Sequence, residues 1–328
     1  MKPLKLVDNS SKLVPLRSVN RLAPSKGYET LLDDWLARSA SPHTQRMYRS
    51  NITALFDSMG YKATPDILAG FLLLDGHQAF ELVSQYHGSL VSQKLAPATI
   101  NQKLAAIKSL VNYAGQIGKC HYTLTNIKAE KLTQYRDTKG IPSEQFKLMI
   151  DTVDTDTLKG IRDRAILILL WGNALRRSEV VNTDIRDYSP SLGELVITGK
   201  GKTLQPETIS LGRSAIAALD RWLTKRGKYT PDDPLFCAVH KGYWGNRLHT
   251  HSIYKLVQKY AQRAGINKVM SPHRIRHSSI TEALNLTNGD VRKVQKLSRH
   301  SNINTLMIYD DNRQNLQGEV TSMLDDLF

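Results

Sequence analysis

Cysteine is nearly absent from this chain: 328 residues contain two, Cys120 and Cys237. Two isolated thiols in no metal-like spacing exclude a disulfide framework and a cysteine-based zinc cluster, and they fit a reducing compartment. Long apolar runs are missing too. The longest, Ala165 to Trp171, falls far short of the roughly 20 residues that span a bilayer. Near the N-terminus Lys2, Lys5, Asp8 and Lys12 interrupt any leader-like stretch. With 41% hydrophobic residues, the expectation is a soluble, cytoplasmic protein long enough for two buried cores.

Negative charge is the other shortage. Lys and Arg number 45 against 30 Asp and Glu, a formal net charge of +15. Leu82 to Ala129 carries Lys94, Lys103, Lys108, Lys119 and Lys128 with no acid, and Pro234 to Thr281 carries eight cations, again with none. One basic run is usually a solvated face. Two long acid-free blocks point to a polyanion, and double-stranded DNA is the expected partner. A membrane surface is disfavoured, because the cations are not gathered on one amphipathic helix. A metal-dependent nuclease would need clustered carboxylates, which the acid-free block around His273 does not supply.

Turn residues and apolar spacing divide the rest. Residues 1–26 are polar, proline-punctuated and basic, and are expected to be a flexible arm. From 27 to 122 the pattern is helical: Leu31, Leu32, Trp35 and Leu36 recur at helix spacing, and Ser41-Pro42, Pro65 and Pro97 open further helices. Residues 123–140 hold few large apolar side chains and many charges, so they are expected to be a linker. Beyond it, Pro142-Ser-Glu144 opens a helix, and Ile161 to Trp171 is a central buried one. Glu194 to Thr198 and Thr208 to Leu211 predict a hairpin around Gly199-Lys-Gly-Lys202, and Ser214 to Thr224 and Ser252 to Ala264 predict helices. The fold class expected is mainly α with a small antiparallel β-sheet. It has two domains: a helical DNA-binding domain, then a mixed α/β domain over 141–309. The tail 310–328 carries Val320, Met323, Leu324, Leu327 and Phe328 at helix spacing.

Polar groups of the second domain carry the chemistry. Arg176 follows the most apolar segment and must either pair, for instance with Glu179, or project into a site. His273 and Arg276, three apart, share a helical face, with His277 one step on. His300 precedes Tyr309 by nine residues. Each has a bland reading, Tyr309 above all, since a tyrosine in an apolar stretch is usually a packed side chain. Together, two arginines, histidines, a lysine on a turn and a tyrosine form a donor-rich, carboxylate-poor set. That set suits phosphoryl transfer, in which cations stabilise equatorial oxygens around an in-line nucleophile.

Four motifs in order make the pattern specific. They are Ala174-Leu-Arg-Arg-Ser-Glu179, Gly199-Lys-Gly201, His273-Arg-Ile-Arg-His277, and Leu297-Ser-Arg-His300 with Tyr309. The chain resembles the tyrosine recombinase family, phage integrase and Xer-like, over almost all its length after the basic arm. Pro97-Ala-Thr-Ile-Asn101 is similar, less specifically, to that family's core-binding domain. The resemblance implies Tyr309 as nucleophile, Arg176, Arg276 and His300 on the phosphate oxygens, Lys200 as general acid and His273 as the phenol's proton partner. Glu179 and His277 would support the arginines. It also implies a homotetramer on an inverted-repeat site, with the tail docking on a neighbouring protomer; accessory proteins stay open. Three departures stand out: Ala174 and Arg299 replace usual glycines, and Lys202 competes with Lys200. DNA contacts are expected from Arg46, Arg49, Lys94, Lys103, Lys108, Lys202, Arg247, Arg274 and Arg299.

Two other outcomes are distinguishable. A topoisomerase-IB-like enzyme would cut one strand as a monomer. A DNA-binding regulator without catalysis would show decay of the motif set, and every expected reactive residue has a match.

Overall fold

A computed structural model describes residues 27–132, 140–198, 205–313 and 316–327. The basic arm 1–26, the middle of the expected linker, and Gly199, Lys200, Gly201 and Lys202 lie outside the described residues. The chain divides into two compact units, Met1–Gln134 and Tyr135–Phe328.

In the first unit, side-chain caps and prolines set where helices begin. Helix α1 (Leu31–Ala37) buries Leu31, Trp35 and Leu36. Ser41 accepts from Thr44 N to start α2 (Pro42–Ser58), and Thr64 accepts from Ile67 N to start α3 (Pro65–Leu72), each with proline in the first turn. Asp75 and Gln78 form a capping box for α4 (Gly76–Ser92), a helix that the apolar pattern alone does not single out. Helix α5 (Pro97–Gln116) buries the stripe Ile100, Leu104, Ile107, Leu110 and Val111. The chain does not leave this unit at 123. Leu124 and Ile127 are buried in its core, Lys108 donates to the Ile127 carbonyl, and Asn101 and Glu130 exchange two hydrogen bonds, of 2.9 and 2.7 Å. Residues of the expected linker are therefore part of this unit as far as Glu130.

The second unit is helical around a three-stranded sheet. Its first helices are α6 (Ser143–Asp151), α7 (Leu158–Gly172) and α8 (Arg177–Asn182). The strands β1 (Tyr188–Ser189), β2 (Glu194–Thr198) and β3 (Pro206–Ser210) are antiparallel in the order β1-β2-β3. Leu195 and Ile197 alternate inward along β2, as the two-residue period of a half-buried strand requires. Helix α7 supplies the centre of the core with Ala165, Ile166, Leu167, Leu169 and Leu170, packed with Leu219 and Trp222 of α9 (Arg213–Arg226). Then follow α10 (Thr250–Arg263), α11 (Pro272–Leu286), α12 (Val291–Ser298), α13 (Asn304–Arg313) and α14 (Leu316–Asp325).

A small third cluster joins Ala174 to Ile280, Leu284, Val294, Leu306 and Tyr309, so α11, α12 and α13 close over the end of α7. Helix α13 runs past 309, so the boundary expected there falls inside an element. Beyond it Val320, Met323, Leu324 and Leu327 are exposed rather than folded onto the core; Phe328 lies outside the described residues. Among the described residues no single helix is long and apolar enough to cross a membrane.

Candidate active site

After α7 the chain turns sharply through Ala174, whose φ is +45°. The turn sends Arg176 away from the apolar helix in an extended conformation that caps α8. Glu179, wholly buried, accepts the Arg176 backbone N–H on Oε2 at 2.8 Å and its Nη1 on Oε1 at 2.6 Å. The expected local pair exists, yet the Arg176 side chain keeps 29% of its exposure. It therefore still faces outward. Burial would raise the Glu179 carboxyl, but Arg299, then the Arg176 backbone bond and charge, hold it below its ordinary value.

Arg276 comes from the second turn of α11, where Ser271 caps the helix by accepting from Arg274 N. Its guanidinium is 1% exposed and donates to the carbonyls of Ala174 and Ser298. His300 Nε2 lies 3.5 Å from Nη2. Burial first, then the charges of Arg176 and Arg299, lower the Arg276 pKa to about 9, so it remains cationic at neutrality. The same crowding acts on His300. Burial, followed by Arg276, Arg176, His273 and Arg299, depresses its pKa to about 4. A neutral ring results, with one N–H to donate.

Tyr309 is brought in by α13 and is 4% exposed. Its hydroxyl lies 3.3 Å from His277 Nε2, and its ring is 4.9 Å from that of His277 and 6.1 Å from that of His300. The same Nε2 of His277 lies 2.7 Å from His273 Nε2. These two histidines are i, i+4 on α11, the spacing that stacks side chains on one helical face; His273 is exposed and His277 buried. The phenol's immediate neighbour is thus the residue expected only to support the arginines. The four-residue spacing was the available signal.

Arg299 corrects an expectation. It ends α12 in the left-handed region, φ +55° and ψ +39°, and this turn directs its side chain inward. It is 5% exposed and donates to Asn173 O at 3.1 Å, Leu297 O at 2.7 Å, Ala174 O at 3.3 Å and Glu179 Oε2 at 2.9 Å. Enclosed, with both Nη atoms on protein acceptors and Nε alone unpartnered, it faces the protein interior rather than solvent. Both departures from the motif glycines, Ala174 and Arg299, therefore sit at positive φ, where a Cβ is strained and glycine is not.

The remaining expected residues separate. Lys200 and Lys202 lie outside the described residues, on a segment bounded by the pair Thr198↔Pro206. Arg46 and Lys94 are exposed and Lys103 half-buried. Arg49 pairs with Asp33, Arg247 with Asp184, and Arg274 donates to Val269 O. Lys108 is committed to the Ile127 carbonyl. Among the described residues no group of three His, Cys, Asp or Glu is placed to hold a metal ion.

What converges is a cationic, carboxylate-poor cluster around one phenol, built on a mostly helical unit with a small antiparallel sheet. Residues 139–315 match the Phage integrase family, and the chain belongs to that family of tyrosine recombinases. It is 49% identical to a tyrosine recombinase of Synechocystis sp. over 91% of this chain and 96% of the relative. Against the tyrosine recombinase XerC of Vibrio vulnificus identity is 28%, over 90% and 88%. In fold it is similar to the XerH site-specific recombinase bound to palindromic difH, with a TM-score of 0.62, 21% identity and coverage of 93% and 86%. It is likewise similar to a lambda integrase dimer bound to a core site, with a TM-score of 0.61, 14% identity and coverage of 84% and 95%.

Proposed function

We propose that this chain performs site-specific recombination by cutting each strand through Tyr309. The observation that carries the reading is the meeting of Tyr309, His277, His300, Arg276 and Arg176 in one cluster, from segments more than a hundred residues apart. The Tyr309 oxygen attacks the scissile phosphorus and the P–O5′ bond breaks. A 3′-phosphotyrosyl bond and a 5′-hydroxyl result. Arg176 and Arg276 receive the non-bridging oxygens, and the neutral His300 ring donates to one of them. His277 takes the phenol's proton, with exposed His273 as its neighbour toward solvent. Lys200, or Lys202 in its place, protonates the leaving oxygen. The phosphotyrosyl bond conserves the energy of the broken one, so ATP is not needed for rejoining. Charge on the oxygens is met by guanidinium and imidazole donors rather than by a metal.

Double-stranded DNA with an inverted-repeat site is the proposed substrate, and a homotetramer carries out sequential exchanges through a Holliday junction. The exposed apolar side chains of α14 favour this over a monomeric topoisomerase-like cut, since they offer a docking edge to a second copy. Tyr309 is buried, so the cut also requires α13 to shift or the phosphate to enter the cluster.

A nicked suicide duplex carrying a site selected by binding tests the reading. Wild type gives an SDS-resistant protein–DNA adduct and Tyr309→Phe gives none. An adduct that persists in Tyr309→Phe refutes the nucleophile. A substrate with a 5′-phosphorothiolate leaving group rescues only the variant lacking the true acid, Lys200→Ala or Lys202→Ala.

A further inference from the structure

We propose that the turn from His240 to Asn246 is an aromatic finger whose Tyr243 and Trp244 stack on unpaired nucleobases beside the cut. The inference rests on the DNA-cutting reading above and extends it to a surface outside the catalytic cluster. Tyr243 is 65% and Trp244 53% exposed, whereas Trp35 and Trp222 are buried and Trp171 is half-buried. Large aromatic faces left in water at adjacent positions are a recognition feature rather than a packing one.

The finger is pre-shaped. Ala238 N donates to Asn246 O at 2.8 Å and Gly245 N to Ala238 O at 3.1 Å, closing its base. Tyr243 N reaches His240 O, and Asn246 N reaches Tyr243 O, at 3.0 and 3.1 Å. Gly242 and Gly245 take φ of +91° and +82°, a region that only glycine enters without strain. A turn already ordered loses little entropy on binding.

Its base is fastened to the element that carries the phosphate-binding arginine. Arg247, paired across the base with Cys237, donates to Val181 O at 2.9 Å and Thr183 O at 3.2 Å. Arg162 donates to Cys237 O at 2.8 Å. Val181 lies on α8, five positions beyond Arg176, or about 7–8 Å along the helix. Counting the Arg247 side chain that makes the link and the four residues out to the tip, Tyr243 stands within roughly 35 Å of Arg176. That span is at most on the order of ten nucleotides of one strand.

Charge selects the occupant. The finger lies within Pro234 to Thr281, with eight cations and no acid, and exposed Lys241 sits beside its tip. A polyanion with flat π-faces matches both properties. Strand exchange, as proposed, frees bases next to the nick. Aromatic side chains hold such bases without regard to sequence.

The test uses the full chain and a duplex of about 30 base pairs bearing three unpaired nucleotides at a nick. Trp244→Phe against wild type isolates the Trp244 emission, which is expected to be quenched on binding. Trp244→Ala is expected to weaken binding roughly five- to hundred-fold with the salt dependence unchanged, since no phosphate contact is lost. Trp244→Phe retains most of the affinity. Thermal melting of each variant matches wild type, because the side chains are exposed. Unaltered affinity in both Trp244→Ala and Tyr243→Ala, with Trp244 emission unquenched and adduct still forming, overturns the finger and leaves the recombinase intact. Absence of adduct in wild type instead overturns the reading on which it rests.

Discussion

Arg299 donates from Nη2 to Glu179 Oε2 at 2.9 Å, between side chains that are 5% and 0% exposed. Because Arg176 holds the other oxygen of the same carboxylate, Glu179 is divided between two guanidinium groups. The second one offsets its negative charge and leaves more of the Arg176 charge to face a phosphate. The motif glycine offers no such partner.

Replacing Arg299 by glycine pits two effects against each other. Removing a side chain from a left-handed residue gains about 1 kcal/mol. Removing one partner of a buried ion pair costs about 3–5 kcal/mol, and Arg176 makes good part of that. Arg299→Gly is expected to unfold in urea about 2–3 kcal/mol more easily than wild type. Stability equal to or above wild type would show that Glu179 does not depend on Arg299.

His277 and His273 are separable by rate. His277→Ala is expected to slow cleavage about 10²–10⁴-fold, the usual contribution of a positioned acid–base group, with DNA affinity near wild type. His273→Ala should cost less, because the phenol oxygen lies 3.3 Å from His277 Nε2, on which His273 Nε2 also converges at 2.7 Å. Single-turnover adduct formation decides it; a larger loss at His273 would restore that residue to the direct role.

Acid should loosen the free protein through His300. Its pKa falls from 6.5 in the unfolded chain to about 4 in the folded one, so between those values the unfolded chain binds a proton that the folded chain refuses. The contribution of the neutral ring is complete above pH 6.5 and diminishes as pH falls to 4. Urea midpoints at pH 7 and pH 5 are expected to differ less in His300→Gln than in wild type. Bound phosphate counters the surrounding cations and raises the ring's pKa, which NMR titration of His300 with and without DNA reports.

The end of the chain should matter for assembly and not for folding. Met323 and Leu324 are 66% and 56% exposed. Met323→Asp with Leu324→Asp is therefore expected to change stability by no more than about 0.5 kcal/mol. Sedimentation of DNA complexes is expected to show the assembly reduced toward monomers. An unchanged complex would remove α14 from the interface.

Helix starts were legible wherever a cap and a proline coincide, as at Ser41-Pro42, Thr64-Pro65 and Ser271-Pro272, because capping is local chemistry. The strand Glu194–Thr198 was legible, whereas the returning strand spans Pro206–Ser210 rather than Thr208 to Leu211. Three of the four spaced motifs are brought together by the fold, at Arg176, at His273 to His277, and at His300 with Tyr309, while Gly199-Lys-Gly201 lies outside the described residues. The site's wiring was not legible. Whether Arg299 points to solvent or inward depends on a backbone angle at the end of α12, which the letters Leu-Ser-Arg-His do not encode. The nearest imidazole to Tyr309 depends on how α13 packs over α11, a contact 32 residues apart in sequence. Leu124 and Ile127 likewise look sparse along the chain, yet they fill a core that only the folded unit possesses.

With its phenol 4% exposed among Leu284, Val294 and Leu306, the free protein travels with its blade sheathed. Drawing that ring out consumes binding energy, and only a well-matched site provides enough. On the proposed reading, a duplex bound through charge alone leaves the ring buried, so a molecule that grips any duplex need not cut most of them.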